Sequence, residues 1–333
     1  MKASKAIDLF SKLVEESKLH PQFKALRNSP IHGNARKLIN NFYNRMGDPN
    51  GNFLRDFQSN AFHSRLFEIA CYAYFDSSGI ECDRSFEKPD FIVSRNGITV
   101  SVEAVTANPT EGRSQDISLA KLENIPFDEM VEKCENDFPI RMANILRKKL
   151  AHKYWELPHC LGKPLVYIIA PFFEAGSVLY GAENLAVYLY GLVDKHEYNG
   201  RRVASGFFNE KNSQHVSAVI YCNQFTVPRF YRMTVTPDDI KSVKSIREGF
   251  CYIPVDESTL RISGYRYAVG SSTEPTETWW QGVTIFYNPN ALVPLPEGFF
   301  RATNIYGIEG DYVVQAVKDF HPLTSMMWQC PNK

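Results

Sequence analysis

Apolar residues recur at helical spacing over the first part of the chain. Residues 1 to about 47 are therefore predicted to form helices, interrupted near Pro21 and Pro30. A loop is predicted over residues 47–51, where the sequence reads Gly-Asp-Pro-Asn-Gly. From about Phe62 to Ser77 apolar residues cover most of a helical circumference, and a glycine follows shortly after. This pattern predicts a buried helix.

The apolar spacing changes to that of strands after this helix. A short strand is predicted near residues 80–82, and longer strands are predicted at 91–93 and 98–106. The Asn96-Gly97 pair between the longer strands favours a tight turn, so we expect these two strands to form a hairpin.

Helical spacing returns after a polar loop that extends from Asn108 to Asn124. Helices are predicted at 127–136 and 139–156, and the apolar block 164–170 is typical of a buried central strand. The order helix, hairpin, helix and buried strand predicts a mixed α/β (α+β) fold, with a core sheet flanked by helices.

The pattern is weaker after about residue 180. A strand is predicted from His215 to Cys222, and aromatic-rich segments at 225–233 and 279–287 indicate further β structure. The stretch 288–310 is rich in proline and glycine, so we expect extended chain on the surface.

The length and composition of the chain are those of a folded protein with more than one structural unit. The chain has 333 residues, of which 44% are hydrophobic and 22% are charged. We expect an N-terminal helical segment over 1–55, a core over 56–180 and a C-terminal α/β extension over 181–333.

Cysteine usage and hydropathy bear on the location of the protein. The seven cysteines are dispersed, without a C-x-x-C pair, which predicts reduced and buried thiols in a cytoplasmic protein. No apolar run approaches the roughly 18–20 residues needed to cross a bilayer, so we expect no membrane partner.

The net charge of the chain gives no sign of a nucleic-acid partner. Thirty-seven basic residues balance thirty-seven acidic ones. Any contact with nucleic acid must therefore come from a local basic patch, such as the one formed by Arg147, Lys148, Lys149 and Lys153. A neutral chain disfavours tight non-specific binding but is compatible with an enzyme that binds its substrate transiently.

Glu68 lies on the apolar helix and is predicted to be buried. On a helix it shares one stripe with Cys71, Tyr72 and Phe75. A buried carboxylate needs a cation, a hydrogen-bond donor or a metal as partner. Arg65, three residues earlier, would provide a purely structural ion pair.

Two further carboxylates belong to the predicted hairpin. Asp90 is placed where the first strand begins, and Glu103 lies inside the second strand, opposite the face formed by Val100 and Val102. The hairpin brings Asp90 and Glu103 to neighbouring positions. Two such charges repel each other unless a cation lies between them, and their hard oxygen atoms suit Mg²⁺ or Mn²⁺.

These carboxylates carry a resemblance to a known family. Pro89-Asp90, the hairpin and Glu103 resemble the P-D…(D/E)-x-K signature of the PD-(D/E)XK, or restriction-endonuclease-like, nucleases. Glu68 is similar to the auxiliary helical acid of many members. The resemblance covers about residues 55–175. A more specific likeness, to uncharacterised bacterial proteins assigned to this superfamily, continues weakly to about 235. It includes the segments Phe57-Gln58, Arg65-Leu66-Phe67-Glu68, Pro89-Asp90-Phe91, Lys149-Leu150, Lys153-Tyr154-Trp155-Glu156, Gly162-Lys163-Pro164-Leu165-Val166 and Val216-Ser217-Ala218-Val219.

The resemblance implies an endonuclease that cleaves nucleic acid, DNA rather than RNA, with Mg²⁺ or Mn²⁺. Asp90 and Glu103 would bind the metal with Glu68 as auxiliary ligand, while Arg65 would contact the substrate. The extension after residue 180 would select the substrate. Bacterial defence or mobile-element biology would be the setting, with a second copy of the chain or a defence-system protein as partner.

The chain departs from the family pattern at the lysine. Val105 occupies the position two residues after Glu103, where the family has its lysine. Some members carry this lysine on a neighbouring helix, which here would be the helix predicted from Ile140 to Glu156. On that helix Lys149 lies at the edge of the apolar face and Lys148 on the polar face. Lys149 is therefore the candidate catalytic lysine, ahead of Lys153, which we expect to bind substrate.

Other interpretations of these residues follow from the sequence as well. Val105 favours a degenerate nuclease-like fold that binds nucleic acid or serves in assembly, and a basic helical face that only covers the core would explain the lysines. Paired carboxylates also occur in glycosidases, although the lysine-bearing helix favours phosphodiester chemistry.

Overall fold

The structure is a computed structural model. The described residues are 6–48, 51–110, 113–117, 125–198, 200–256, 259–271 and 275–331. Pro49 and Asn50 of the first predicted loop, and residues 111–112 and 118–124 of the polar loop, lie outside these ranges.

Groups of helices and groups of strands follow one another along the chain. The helices are α1 (Pro21–Asn28), α2 (Gly33–Met46), α3 (Phe53–Gln58), α4 (Phe62–Ser77), α5 (Phe127–Glu132), α6 (Phe138–Leu150), α7 (Glu183–Tyr190), α8 (Val227–Arg232) and α9 (Pro237–Ser242). The strands are β1 (Glu81–Asp83), β2 (Phe91–Arg95), β3 (Ile98–Ala107), β4 (Leu165–Pro171), β5 (Lys195–Tyr198), β6 (Arg201–Ala204), β7 (Ala218–Tyr221), β8 (Val243–Pro254), β9 (Leu260–Ala268), β10 (Thr284–Tyr287), β11 (Asn304–Glu309), β12 (Tyr312–Val317) and β13 (Met326–Pro331).

An eight-stranded sheet in the order β1-β2-β3-β4-β7-β10-β11-β12 forms the centre of the molecule. β1, β2 and β3 are antiparallel neighbours, whereas β4 is parallel to β3 and β7 is parallel to β4. The remaining strands alternate between antiparallel and parallel pairing. Strands from both sides of residue 180 therefore lie in one sheet. A separate antiparallel sheet has the order β13-β8-β9, and β5 pairs with β6.

Apolar clusters cover both faces of the central sheet. On one face, Val100 and Val102 of β3 pack in a cluster that includes residues of α1, α2, α3 and α4. On the other face, Val105 and Ala107 of the same strand pack in a cluster with residues of α6 and α7. The predicted mixed α/β fold, with a sheet flanked by helices, is thus confirmed.

The hairpin that was predicted from Asn96-Gly97 is present. Both residues have positive φ angles, of 52° and 78°, which is the geometry favoured in a two-residue hairpin turn. The register pairs Arg95 with Ile98 and Phe91 with Val102. The turn therefore fixes which residues of the two strands lie opposite each other.

Several element predictions were wrong in ways that have local causes. The helix expected to reach Glu156 ends at Leu150, because Lys153 adopts a left-handed conformation with φ of 50° and a separate 3₁₀ turn follows. The segment 225–233 was expected to be β structure but contains α8, which begins with Pro228 in its first turn. The stretch 288–310 is not surface chain throughout, because it contributes β11 and the buried Phe299 and Phe300.

The thiols and the hydropathy of the helices can also be compared with expectation. All seven cysteines are free, and Cys71, Cys160, Cys222 and Cys251 are buried, whereas Cys330 is exposed. Among the described residues, no helix has both the length and the apolar character required to traverse a lipid bilayer.

Candidate functional site

The hairpin of β2 and β3 places Asp90 beside Glu103. Asp90 immediately precedes β2, whose first residue pairs with Val102 of β3. The backbone N–H of Asp90 donates to Glu103 Oε2 at 3.2 Å, and the N–H of Ala104 donates to Asp90 Oδ2 at 2.9 Å. Each carboxylate thus accepts a hydrogen bond from the backbone of the other strand or its lead-in. The predicted proximity of the two acids is what the structure shows.

Glu103 extends from the sheet toward α6 and the turn that follows it. Its side chain is 5% exposed, and Oε1 accepts hydrogen bonds from Lys149 Nζ at 2.6 Å and Tyr154 OH at 2.8 Å. Alternation along β3 produces this direction, because Val102 packs on the opposite face of the sheet. Lys149 therefore extends inward, as its position at the edge of the apolar face predicted, while Lys148 is exposed.

When both acids are ionised, the cluster of Asp90, Glu103 and Lys149 carries more negative than positive charge. Burial raises the pKa of Asp90 well above its ordinary value, and the nearby charges of Glu103 and Glu68 raise it further. The N–H of Ala104 and the ammonium of Lys149 oppose this shift without cancelling it. Asp90 is consequently a carboxylate that additional positive charge would stabilise.

Glu68 lies on α4 in a pair of buried ion pairs. Its side chain is 7% exposed; Oε1 accepts from Arg65 at 2.8 Å and Oε2 accepts from Arg84 at 3.0 Å. Burial raises the pKa of Glu68, whereas the two guanidinium groups lower it. The structural partnership with Arg65 is present, and Arg65 also binds Asp56 at 2.6 Å. Both oxygens of Glu68 are thus engaged by cations.

Two residues of the site were not assigned a role from the sequence. Tyr154 belongs to a segment that resembles the family. The helix predicted to continue through Glu156 did not place its side chain near Glu103. Arg84 follows β1, and its side chain is only 10% exposed. The sequence did not indicate that this arginine is buried. A long-range ion pair of this kind has no spacing that could be recognised in the sequence.

The predicted basic patch is divided in the structure. Lys153 lies on the surface, where it pairs with Glu156 at 3.0 Å and is 54% exposed. Arg147 is bound by Glu210 at 2.6 Å and so pairs with a different carboxylate from Lys149. Lys149 is the member of the patch that reaches the carboxylates, so the patch does not act as one surface.

The donor set determines whether a divalent ion fits here. Asp90 and Glu103 present two adjacent carboxylates, and the hydrogen bonds among the described residues use Oδ2 of Asp90 but not Oδ1. Hard oxygen donors with excess negative charge suit Mg²⁺ or Mn²⁺. Within the described ranges, no group of three or more His, Cys, Asp or Glu side chains is arranged to hold a metal. The residues therefore fit a two-carboxylate site in which other ligands complete the coordination.

Comparison with known proteins provides no relative for this arrangement. Searches against family models, curated proteins and solved structures returned no match for the chain. The chemistry of the site residues is therefore the basis for assigning a function.

Proposed function

We propose that the chain is a metal-dependent phosphodiesterase that cleaves nucleic acid, with DNA favoured over RNA. The supporting observation is the convergence of Asp90, Glu103 and Lys149 from three separate elements: the start of β2, the middle of β3 and the last turn of α6. Two carboxylates and one lysine are the groups that the resemblance to PD-(D/E)XK nucleases requires.

The excess negative charge supports a cation as the missing component. A bound Mg²⁺ or Mn²⁺ would polarise the scissile phosphate and lower the pKa of a water molecule. Asp90 and Glu103 would hold this ion, and Asp90 would give up the proton that its raised pKa favours. Because Tyr154 and Lys149 bind the same oxygen of Glu103, Oε2 is the oxygen nearer Asp90. The two acids would therefore share the ion between them.

Lys149 would replace the lysine that is missing from β3. Val105 is 2% exposed within the apolar cluster that includes residues of α6, so a charged side chain there would have to be buried. Lys149 enters from the helix, and its side chain is 27% exposed. It could therefore turn from Glu103 to a phosphate oxygen when substrate arrives, and stabilise charge in the transition state.

A second candidate function is a nuclease-like fold without activity, which binds nucleic acid or takes part in assembly. The observation that favours it is the number of contacts already made by the acids. Both oxygens of Glu68 bind arginines, and Oε1 of Glu103 binds Lys149 and Tyr154. In this case Lys149 would take the place of a metal and neutralise Glu103 permanently.

Cleavage assays with matched variants test the first proposal. Plasmid, linear DNA, single-stranded DNA and RNA are incubated with the full chain in Mg²⁺ or Mn²⁺, and in EDTA. We expect metal-dependent cleavage that Asp90→Asn and Glu103→Gln abolish. Lys149→Met should reduce the rate by about a hundredfold or more, as loss of a transition-state donor does. The matched control Lys148→Met, at the exposed neighbour, should cleave like the parent chain.

Metal-binding calorimetry separates the two candidates. An active enzyme should bind Mn²⁺ with loss of affinity in Asp90→Asn, and should release a proton on binding because the pKa of Asp90 is raised. Full activity in Asp90→Asn or Glu103→Gln would contradict the site assignment. Absence of both cleavage and Mn²⁺ binding would favour the inactive fold.

A further inference from the structure

A cavity of about 380 Å³ lies at the carboxyl ends of β4 and β7, apart from the carboxylates of the hairpin. Its walls come from α1, α4, α8, the segment after β7 and β13. The lining is largely apolar and includes Leu26, Leu66, Phe172, Phe225, Met327 and Trp328. A cavity of this size and composition is in the range of small-molecule sites.

A charged side chain, that of Arg232, interrupts this apolar lining. Arg232 of α8 lines the cavity, and its side chain is 2% exposed. Arg232 Nε donates to Glu277 at 2.7 Å. The same carboxylate binds Arg247 at 2.5 Å and contacts Arg229 at 3.5 Å. Within the described ranges Glu277 is the acid that binds these three guanidinium groups; Glu274 lies outside those ranges.

The positive charge of this cluster exceeds the negative charge of its one bound carboxylate. Burial and the neighbouring arginines together lower the pKa of Arg229 to about 10, although Glu277 opposes this shift. Burial and Arg247 likewise lower the pKa of Arg232. Buried guanidinium groups are expensive unless each is paired, so an additional anion beside Arg232 would stabilise the cluster.

Two residues that line the cavity also carry buried nitrogen atoms without a partner. Among the described residues, Arg232 Nη2 and His32 Nδ1 have no hydrogen-bond partner. An unpaired donor on a charged group destabilises the fold when it is buried. A ligand with acceptor oxygens would satisfy this donor when the Arg232 side chain turns Nη2 toward the cavity.

We propose that this cavity binds a small amphipathic organic anion, with its apolar body among the aromatic and aliphatic side chains and its anionic group at Arg232. The size of the cavity admits a small molecule and not a polymer. Arg232 supplies the charge selection, because the other lining side chains are neutral, including His32 and His63, whose pKa values burial lowers. The site is independent of the proposed cleavage chemistry and does not require it.

Two fluorescent probes of nearly the same ring skeleton test the charge selection. Anilinonaphthalene sulfonate carries one anionic group, and phenylnaphthylamine is neutral. We expect the folded chain to bind one sulfonate probe saturably, with energy transfer from tryptophan because Trp328 lines the cavity. Arg232→Met should weaken the sulfonate probe by about tenfold to a hundredfold, as loss of a charged hydrogen bond does. The affinity for the neutral probe should change by less than about twofold.

Two further variants control for folding and for general charge effects. Arg261→Met makes the same chemical change at an exposed arginine of β9 outside the cavity and should leave both probes unaffected. Ala25→Phe, at an exposed residue of α1 that lines the cavity, should weaken both probes and preserve folding. Equal binding of the sulfonate probe by the parent chain and Arg232→Met would overturn the proposal, and so would equal binding by the parent chain and Ala25→Phe. So would failure of the folded parent chain to bind the sulfonate probe.

Discussion

Two buried ion clusters of this chain have opposite charge imbalances. The hairpin cluster sets the carboxylates of Asp90 and Glu103 against the single ammonium of Lys149. The cluster at α8 sets three guanidinium groups against Glu277. Burial and neighbouring acids raise the pKa of Asp90, whereas the arginines hold the pKa of Glu277 at about 2 despite its burial.

The excess charge of a buried cluster indicates the sign of the ligand that would complete it. Desolvation alone would raise the pKa of both carboxylates, so the lowered pKa of Glu277 reports the positive charge around it. At Asp90 the charges of Glu103 and Glu68 add to the effect of desolvation. The hairpin cluster would be stabilised by a cation, and the arginine cluster by an anion. In both regions a bound ion of opposite sign would therefore balance the excess charge.

The largest expected effect is at Glu277. Glu277→Gln leaves three buried guanidinium groups without their carboxylate, so we expect a loss of about 3–5 kcal/mol in the free energy of unfolding. The stabilisation from ionised Glu277 should be fully present above its unfolded pKa. It should disappear as the pH falls toward its folded pKa of about 2. Urea unfolding of both chains at several pH values measures this difference.

Glu210 provides the matched control for Glu277. Its carboxylate also binds an arginine, Arg147, at 2.6 Å, but the two side chains are 28% and 33% exposed. Glu210→Gln should therefore cost about 1 kcal/mol or less. Equal losses in the two variants would mean that excess buried charge does not distinguish the arginine cluster.

A smaller effect of opposite sign is expected at Asp90. Because its folded pKa is raised, its ionisation destabilises the metal-free fold, and stability falls as the pH rises above its unfolded pKa. Asp90→Asn keeps the acceptor for the N–H of Ala104 and removes the charge. At neutral pH the variant should therefore be more stable than the parent chain. Calorimetric melting across pH should show this gain vanish near pH ~4, and saturating Mn²⁺ should stabilise the parent chain more than the variant.

The two clusters also differ in how far the sequence could predict them. Asp90 and Glu103 are separated by one hairpin, and both the Asn-Gly turn and the alternation of β3 were visible in the residue order. Lys149 was identified by its place on an amphipathic helix. Arg229 and Arg232 share α8, which was expected to be β structure, whereas Arg247 lies on β8 and Glu277 in the segment before β10. No local spacing brings these three parts of the chain together, because tertiary packing does so.

The same distinction applies to the ends of elements. Helix α4 was predicted with its observed bounds, since a long apolar period and a following glycine define it. The end of α6 was misplaced because nothing in the sequence signals that Lys153 adopts a positive φ. This backbone geometry precedes Tyr154, whose hydroxyl reaches Glu103. The contact of Tyr154 with Glu103 was therefore not predicted, because it depends on the backbone conformation of Lys153.

The smallest expected effect on stability is at Lys153, and it tests the role assigned to this residue. Its ion pair with Glu156 is exposed at both side chains, so Lys153→Met should change the free energy of unfolding by less than about 0.5 kcal/mol. If Lys153 contacts a phosphate, the variant should bind DNA more weakly and reduce the slope of log affinity against log salt by about one. Lys148→Met, also at an exposed lysine, serves as the comparison. A salt slope unchanged by Lys153→Met would limit the contribution of the basic segment to Lys149, because Lys149 is the lysine that the fold brings to the carboxylates.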